Sequence, residues 1–268
     1  MPAQQGAGAA TGPSGENGAR HVADIPREAH TGPSSRPACE PGRLEAAQVR
    51  AMFDRIAGVY DLLNTAMTAG LHHRWRSRAA DLAAVGPGDR VLDGATGTGD
   101  LAVELARRVQ PGGEVVGSDF SEEMLVHARR KAPELRFEWG NALDLPYPDG
   151  HFAAATVGFG ARNFSDHDRG LQEMARVVRP GGRVVVLEIT TPRRPPLSTF
   201  YRVWFDRIVP LIGRLTGESV AYSYLPNSVK RFPGPEGLAE SMARAGLQDI
   251  RWVLTAGGII AIHAGTKG

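Results

Sequence analysis

Residues 93–102, "DGATGTGDLA", place Gly97 and Gly99 two residues apart, Ala102 three further on, and a carboxylate, Asp93, just ahead of them. Glycines at this spacing, between a strand and a helix, let the main chain turn sharply and come close to a bound nucleotide. Twenty residues past Gly99 stands Asp119, where such a domain keeps the acid that binds ribose hydroxyls. The spacing therefore predicts a nucleoside site, and the flanking charges bear on which nucleoside. A helix N-terminus attracts a pyrophosphate, whereas a neighbouring carboxylate repels it. Asp93, ahead of the glycines, and Asp100, opening the helix, both carry that charge. Asp93 suits a cationic group, such as the ammonium of a methionine moiety, better than a dinucleotide phosphate. "NALDLPY" (141–147) offers polar groups where an adenine can be read. Asp119 serves either ligand, so a nicotinamide oxidoreductase stays as a rival reading.

The elements that must hold these residues alternate. "RVLDG" (90–94), "EVVGSDF" (114–120), "LRFEW" (135–139), "FAAATVGF" (152–159) and "RVVVLEI" (183–189) read as buried strands. Helices are expected near 99–109, after a cap at Ser121, and over about 166–178. This alternation predicts an α/β fold, a mostly parallel sheet with helices on both faces. After a helix near 237–245, "DIRWVLTA" and "GGIIAIHAG" are expected to close the chain as an antiparallel edge hairpin. Upstream, Val49, Met52, Phe53, Ile56 and Tyr60 recur at helical spacing and read as one run, broken only at Gly70. Leu71, Trp75, Ala79 and Leu82 line the next helix, which Pro87-Gly88 stops.

The totals narrow the function classes. The chain has 268 residues, 42% hydrophobic and 22% charged, with a net charge of +2. That charge is too small to argue for a nucleic-acid partner. One cysteine, Cys39, excludes a disulfide framework or thiolate metal cluster and fits a reducing cytoplasm. Residues 1–43 hold seven Gly and six Pro and few large apolar side chains, so they read as a disordered tail. The start has no apolar signal core, and no run is long enough for a membrane span.

The ordered set Asp93, Gly97-Thr98-Gly99, Asp119, Asn141-Ala142 and "RPGGRVVVLE" resembles the class I S-adenosylmethionine-dependent methyltransferases. That resemblance implies a Rossmann-like seven-stranded sheet with a reversed final hairpin. Stretches outside the cofactor core are similar to the menaquinone/ubiquinone biosynthesis C-methyltransferases, over nearly all of residues 45–266. They are "YDLLNTAMTAGLHHRWR" (60–76), "GFGARNFSD" (158–166), "RVVRPGGRVVVLEITTP" (176–192), "YSYLPNSVKRFP" (222–233) and "LTAGGIIAIHAGTK" (254–267). The resemblance implies methyl transfer from S-adenosyl-L-methionine to a ring carbon of demethylmenaquinol, a polyprenylated quinol. Another quinol, small aromatic or secondary metabolite as acceptor is the alternative, and a protein that only binds the nucleoside is a further one. Cofactor contacts carry over to Thr98, to Asp119 on the ribose, and to Asn141-Ala142 beside the adenine. A family position that is usually serine falls on Gly158, which offers only main-chain groups.

The resemblance also makes residues 44–268 one methyltransferase domain, with a helical lid over 44–85 and an acceptor-site insertion over 190–235. A ring carbon ortho to a phenolate attacks a sulfonium methyl without a metal. The protein's tasks are then alignment and loss of the phenol proton. Tyr60, with Asp61 and Asn64, begins the segment over the cofactor. Arg162 and Asn163, after the fourth strand, are candidates for ordering the quinol oxygen or a proton-relay water. His72 or His73 is a candidate base, because imidazole titrates near neutrality. Glu188 is read as facing the pocket or as a structural hydrogen-bonding group, His263 as structural, and Tyr222 and Tyr224 as acceptor-site candidates. Phe200, Trp204, Ile208, Leu211 and Leu215 share one helical face. That face either packs on the core or meets the isoprenoid tail and the inner membrane surface, with Arg193, Arg194, Arg202 and Arg207 near anionic head groups. A homo-oligomer is left open.

Overall fold

The computed structural model describes residues 46–192, 195–204, 207 and 219–268. Helices α1 (Ala46–Ile56), α2 (Tyr60–Thr68) and α3 (Leu71–Leu82) precede β1 (Arg90–Gly94). Strands and helices then alternate through α4 (Asp100–Val109), β2 (Glu114–Asp119), α5 (Glu122–Lys131), β3 (Arg136–Trp139), β4 (Phe152–Gly158), α6 (His167–Val177) and β5 (Val178–Ile189). Helices α7 (Leu197–Val203), α8 (Ser219–Arg231) and α9 (Pro235–Arg244) come before β6 (Leu247–Thr255) and β7 (Ile260–Lys267). The strands form one seven-stranded sheet in the order β3-β2-β1-β4-β5-β7-β6. Only β7 runs antiparallel to its neighbours, between β5 and β6, so the edge of the terminal hairpin is β6.

Strand alternation divides the core. Val91 packs with Leu101, Leu105, Leu125 and Val185, whereas Leu92 packs with Phe152, Met174, Val186 and Met242. With helices on both faces, the central strands are apolar almost throughout. Each fully buried Leu or Met contributes about 1.5–3 kcal/mol over an exposed one. That burial keeps the strand ends firm enough to carry a site. Asp93, two residues after Val91, belongs to the face covered by α3 and α4.

Local chemistry sets the helix starts. The Ser121 hydroxyl accepts from the Met124 N–H at 3.2 Å and caps α5; the Asp166 carboxylate accepts from the Arg169 N–H at 2.9 Å and caps α6. Gly99 precedes α4 at φ +84°, and a Cβ there would lie 2.9 Å from the Phe137 ring. The second glycine of the loop is therefore a packing requirement as well as a turn, since it lets α4 approach β2 and β3.

Two expectations change. The run from Val49 to Tyr60 is not one helix: a turn over 57–59 separates α1 from α2. Gly58 sits in that turn and costs about 1 kcal/mol in a helix interior, so the periodic apolar residues fall on two helices instead. The fifth strand begins at Val178, which pairs with Phe152, and the register shifts before Ala154 meets Arg183. Pro180-Gly181-Gly182 thus lies within an irregular strand rather than before it. The tail, Cys39, Arg193, Arg194, Ile208, Leu211 and Leu215 lie outside the described residues, as do the side chains of Arg202 and Tyr222. Among the described residues no helix is long and apolar enough to cross a membrane.

Candidate active site

The chain builds outward from β1 through β2 to β3, then returns to pair β4 with the other side of β1. Open α/β sheets bind ligands where the order reverses, because loops leave the strand ends in opposite directions and part. A cleft of about 950 Å³, including its open mouth, is lined by Asp93, Gly97, Thr98, Asp119, Asn141, Ala142 and Gly158. These are seven of the eight cofactor positions expected from the sequence. The eighth, Gly99, is not a wall residue and packs on Phe137. Of the catalytic candidates, Tyr60 and Asn163 line the cleft, and Arg162 and His72 do not.

Asp93 is 1% exposed. Its two oxygens accept from the hydroxyls of Thr96 at 2.6 Å and Thr156 at 2.7 Å. Burial pushes its carboxyl up to about 6, against the pull of those hydroxyls and of Arg76. Asp119 accepts from the main-chain N–H of Gly97 at 2.8 Å and of Ser121 at 2.9 Å. Burial raises it, too, to about 6, opposed by these N–H groups. Two buried acids of this kind, one on the glycine loop's leading edge and one closing it, fit a cationic amino-acid end and a ribose diol. Neither fits a pyrophosphate.

Residues of the first helices line this cleft and are tied to it. Phe53 and Tyr60, edge to face with centroids 6.2 Å apart, contribute to its walls. Asp54 accepts from the Ser121 hydroxyl, and Asp61 accepts from Thr98 Oγ1 at 2.6 Å and pairs with Lys131. The glycine loop is thereby joined to α2 through Thr98.

The turn after β4 is built around a buried ion pair. Arg162 follows β4 on a single 3₁₀ turn, Ala161–Asn163, and its Nη1 donates to Glu188 Oε1 at 2.7 Å and to the Phe159 carbonyl. Glu188, 1% exposed, also accepts the main-chain N–H groups of Arg162 and Ile189. Burial alone would pull Arg162 down, but Glu188 outweighs it and keeps the guanidinium charged. Asn163, the next residue, faces the cleft, and its Oδ1 accepts from the Tyr224 hydroxyl at 3.1 Å. Of the readings for Glu188, the hydrogen-bonded structural one matches the geometry, while Tyr224 reaches the site through Asn163.

His72 is not free to act as a base. It is 2% exposed, and burial followed by the charge of Arg76 holds it down to about 4, so it is neutral near pH 7. Arg76 can only donate, so His72 Nδ1 accepts from it and Nε2–H faces Thr65 Oγ1 at 3.2 Å. His263 bonds the Pro235 carbonyl at 2.9 Å inside the core. Ligand atoms of His72, His73 and Asp100 converge within 4.8 Å, but Arg76 donates to His72 and stands 3.5 Å from Asp100, so a metal cation would meet its guanidinium.

Sequence reasoning missed Arg76, Thr96 and Thr156. Thr96 lies inside the glycine loop and was legible as a hydroxyl beside Asp93. Thr156 follows from the register that sets it opposite Asp93 on β4. Arg76 gave no signal, since an arginine on an amphipathic helix ordinarily faces water.

A Rossmann-like seven-stranded sheet with one reversed strand, and a nucleoside cleft led by a buried acid, define an S-adenosylmethionine-dependent methyltransferase of class I. The chain belongs to the ubiE/COQ5 methyltransferase family, whose profile matches residues 42–267. It is 50% identical over 221 residues to a demethylmenaquinone methyltransferase of Thermus thermophilus, covering 81% of this chain and 100% of that one. Its fold is similar to that of the [4+2]-cyclase SpnF, with a TM-score of 0.63, 21% identity, and 84% and 97% of the two chains covered. It is also similar in fold to an S-adenosylmethionine-dependent methyltransferase of Thermotoga maritima, with a TM-score of 0.55, 21% identity, and 81% and 99% of the two chains covered. The cofactor is S-adenosylmethionine.

Proposed function

We propose that this enzyme methylates a ring carbon of demethylmenaquinol, giving menaquinol. The supporting observation is that one cleft is lined by both cofactor acids, Asp93 and Asp119, and by Tyr60 and Asn163 at its acceptor end. S-adenosylmethionine supplies, when bound, a methyl group on a sulfonium, electrophilic enough to be taken by an activated ring carbon. Asp93 holds the ammonium, Asp119 accepts from the ribose hydroxyls, and Asn141 and Ala142 flank the adenine.

Tyr60 and Asn163 orient a quinol oxygen, and Phe53, Phe120, Phe159 and Phe164 keep water out. Arg162 is a positioning residue: its pair with Glu188 fixes the turn that presents Asn163. Alignment is the larger contribution, about 7–11 kcal/mol. Proton transfer typically contributes about 10²–10⁴-fold. A dry, closed cleft therefore matters more than any single base. The isoprenoid tail leaves past α7, where Phe200 and Val203 are exposed and Phe200 stacks on Trp204 with centroids 6.0 Å apart. On this reading the enzyme works in the cytoplasm, peripheral to the inner membrane face.

Transfer of labelled methyl to demethylmenaquinol tests the reading. The expected product is menaquinol, formed faster from substrate in anionic vesicles than in neutral detergent. Turnover of other aromatics with none of the quinol would reject the acceptor. Equal rates in both carriers would reject the membrane contact alone.

A further inference from the structure

Arg76 is a buried cation that the chemistry above does not use. It is 5% exposed, lies on α3, and lines the cleft beside Asp93. Its hydrogen bond to His72 occupies Nη1. Its nearest carboxylate, Asp100, lies 3.5 Å from Nη2, and that oxygen, Asp100 Oδ2, has no hydrogen-bond partner. The guanidinium sits 5.4 Å from the centroid of the Phe159 ring, another wall of the cleft. A guanidinium carries five N–H donors in a fixed fork, shaped for a carboxylate. At this wall most of that fork is not taken up by Asp100.

The ligand explains the placement. The amino-acid end of S-adenosylmethionine bears an ammonium and a carboxylate on the same carbon, so a site for one must lie beside a site for the other. Asp93 answers the ammonium, but leaves the carboxylate without a counter-charge among three neighbouring acids, Asp93, Asp100 and Asp119. Arg76 is the cation on that stretch of wall. We infer that Arg76 binds the cofactor's α-carboxylate, with His72 as the acceptor that aims the guanidinium across the cleft. The inference rests on the cofactor site proposed above and adds to it the group that selects an amino-acid end over a simple amine.

Calorimetry with two ligands tests it: S-adenosylhomocysteine, and its decarboxylated analogue S-adenosyl-3-thiopropylamine. The parent enzyme is expected to prefer the first by 30-fold or more. Arg76→Met should bind S-adenosylhomocysteine at least 30-fold more weakly yet bind the analogue within threefold of the parent, so that the preference collapses. Arg76→Lys, which keeps the charge without the fork, should regain part of it. Equal losses for both ligands in Arg76→Met would show a merely structural arginine and overturn the inference, as would an unchanged preference. Failure of the parent to bind S-adenosylhomocysteine would instead reject the cofactor site itself.

Discussion

Asp93→Asn is expected to lower the affinity for S-adenosylhomocysteine on the order of 10²-fold or more, while the unliganded enzyme becomes no less stable. The first effect follows from breaking a buried charge pair, which costs about 2–5 kcal/mol at roughly 1.4 kcal/mol per tenfold. The second follows from linkage. Burial raises Asp93 from its ordinary 3.8 to about 6. A group raised in this way contributes stability that is full below its unfolded pKa and lost as the pH climbs through the folded one. Above about pH 6 the empty site thus carries a destabilising charge, and asparagine removes it. The Thr156 hydroxyl can still donate to the amide oxygen, and the Thr96 hydroxyl can turn to accept from the amide NH2.

The cofactor reverses the sign, because its ammonium favours the charged carboxylate. Affinity in the parent is therefore expected to fall as the pH drops below about 6. Asp119, raised to the same region, contributes its own proton, so Asp93→Asn should flatten the slope by one proton rather than abolish it. Calorimetry across pH 5–8, paired with thermal melts of the empty enzyme, reads both effects. A variant that melts far lower and loses affinity only in proportion would make Asp93 a structural acid.

Arg162→Ala is expected to reduce turnover by about 10²-fold or more, leave S-adenosylhomocysteine affinity within about threefold, and destabilise the fold. Removing one partner of a buried pair leaves Glu188 as an uncompensated charge, at about 3–5 kcal/mol. For a domain of this size that is roughly 6–20 °C in melting temperature. The double variant Arg162→Met with Glu188→Gln separates the two roles. It removes both charges and keeps an acceptor for one of the two N–H groups, of Arg162 and Ile189, that Glu188 holds on separate oxygens, so part of the stability should return. The turnover should not, because the cation behind Asn163 and near Tyr60 and Tyr224 is still missing. Recovery of both together would confine Arg162 to holding the fold.

The contrast between these residues shows what a sequence can and cannot carry. The glycine loop, Asp93 and Asp119 are legible because turn geometry and strand ends place them within a few residues of each other's elements. The βα alternation gives the sheet, and the sheet gives the switch point. Arg162 was legible as a residue at a strand's carboxyl edge, yet its engagement depends on Glu188, which only the β4–β5 register brings alongside by setting Gly158 against Leu187. The pairing turns a supposed acceptor contact into a buried support one residue from the wall. His72 stands off the cleft for a similar reason: its spacing of four from Arg76 is visible on a helix, but the depth at which Arg76 occupies its Nδ1 is tertiary. Gly58 was passed over because the apolar period continues through it, across two helices that happen to keep phase.

A crystal structure with S-adenosylhomocysteine bound tests the central claim most directly. The ammonium should lie within hydrogen-bonding distance of the Asp93 carboxylate, with the ribose on Asp119 and the sulfur facing Tyr60 and Asn163. A ligand whose amino-acid end lies away from Asp93, or whose sulfur faces away from Asn163, would contradict it.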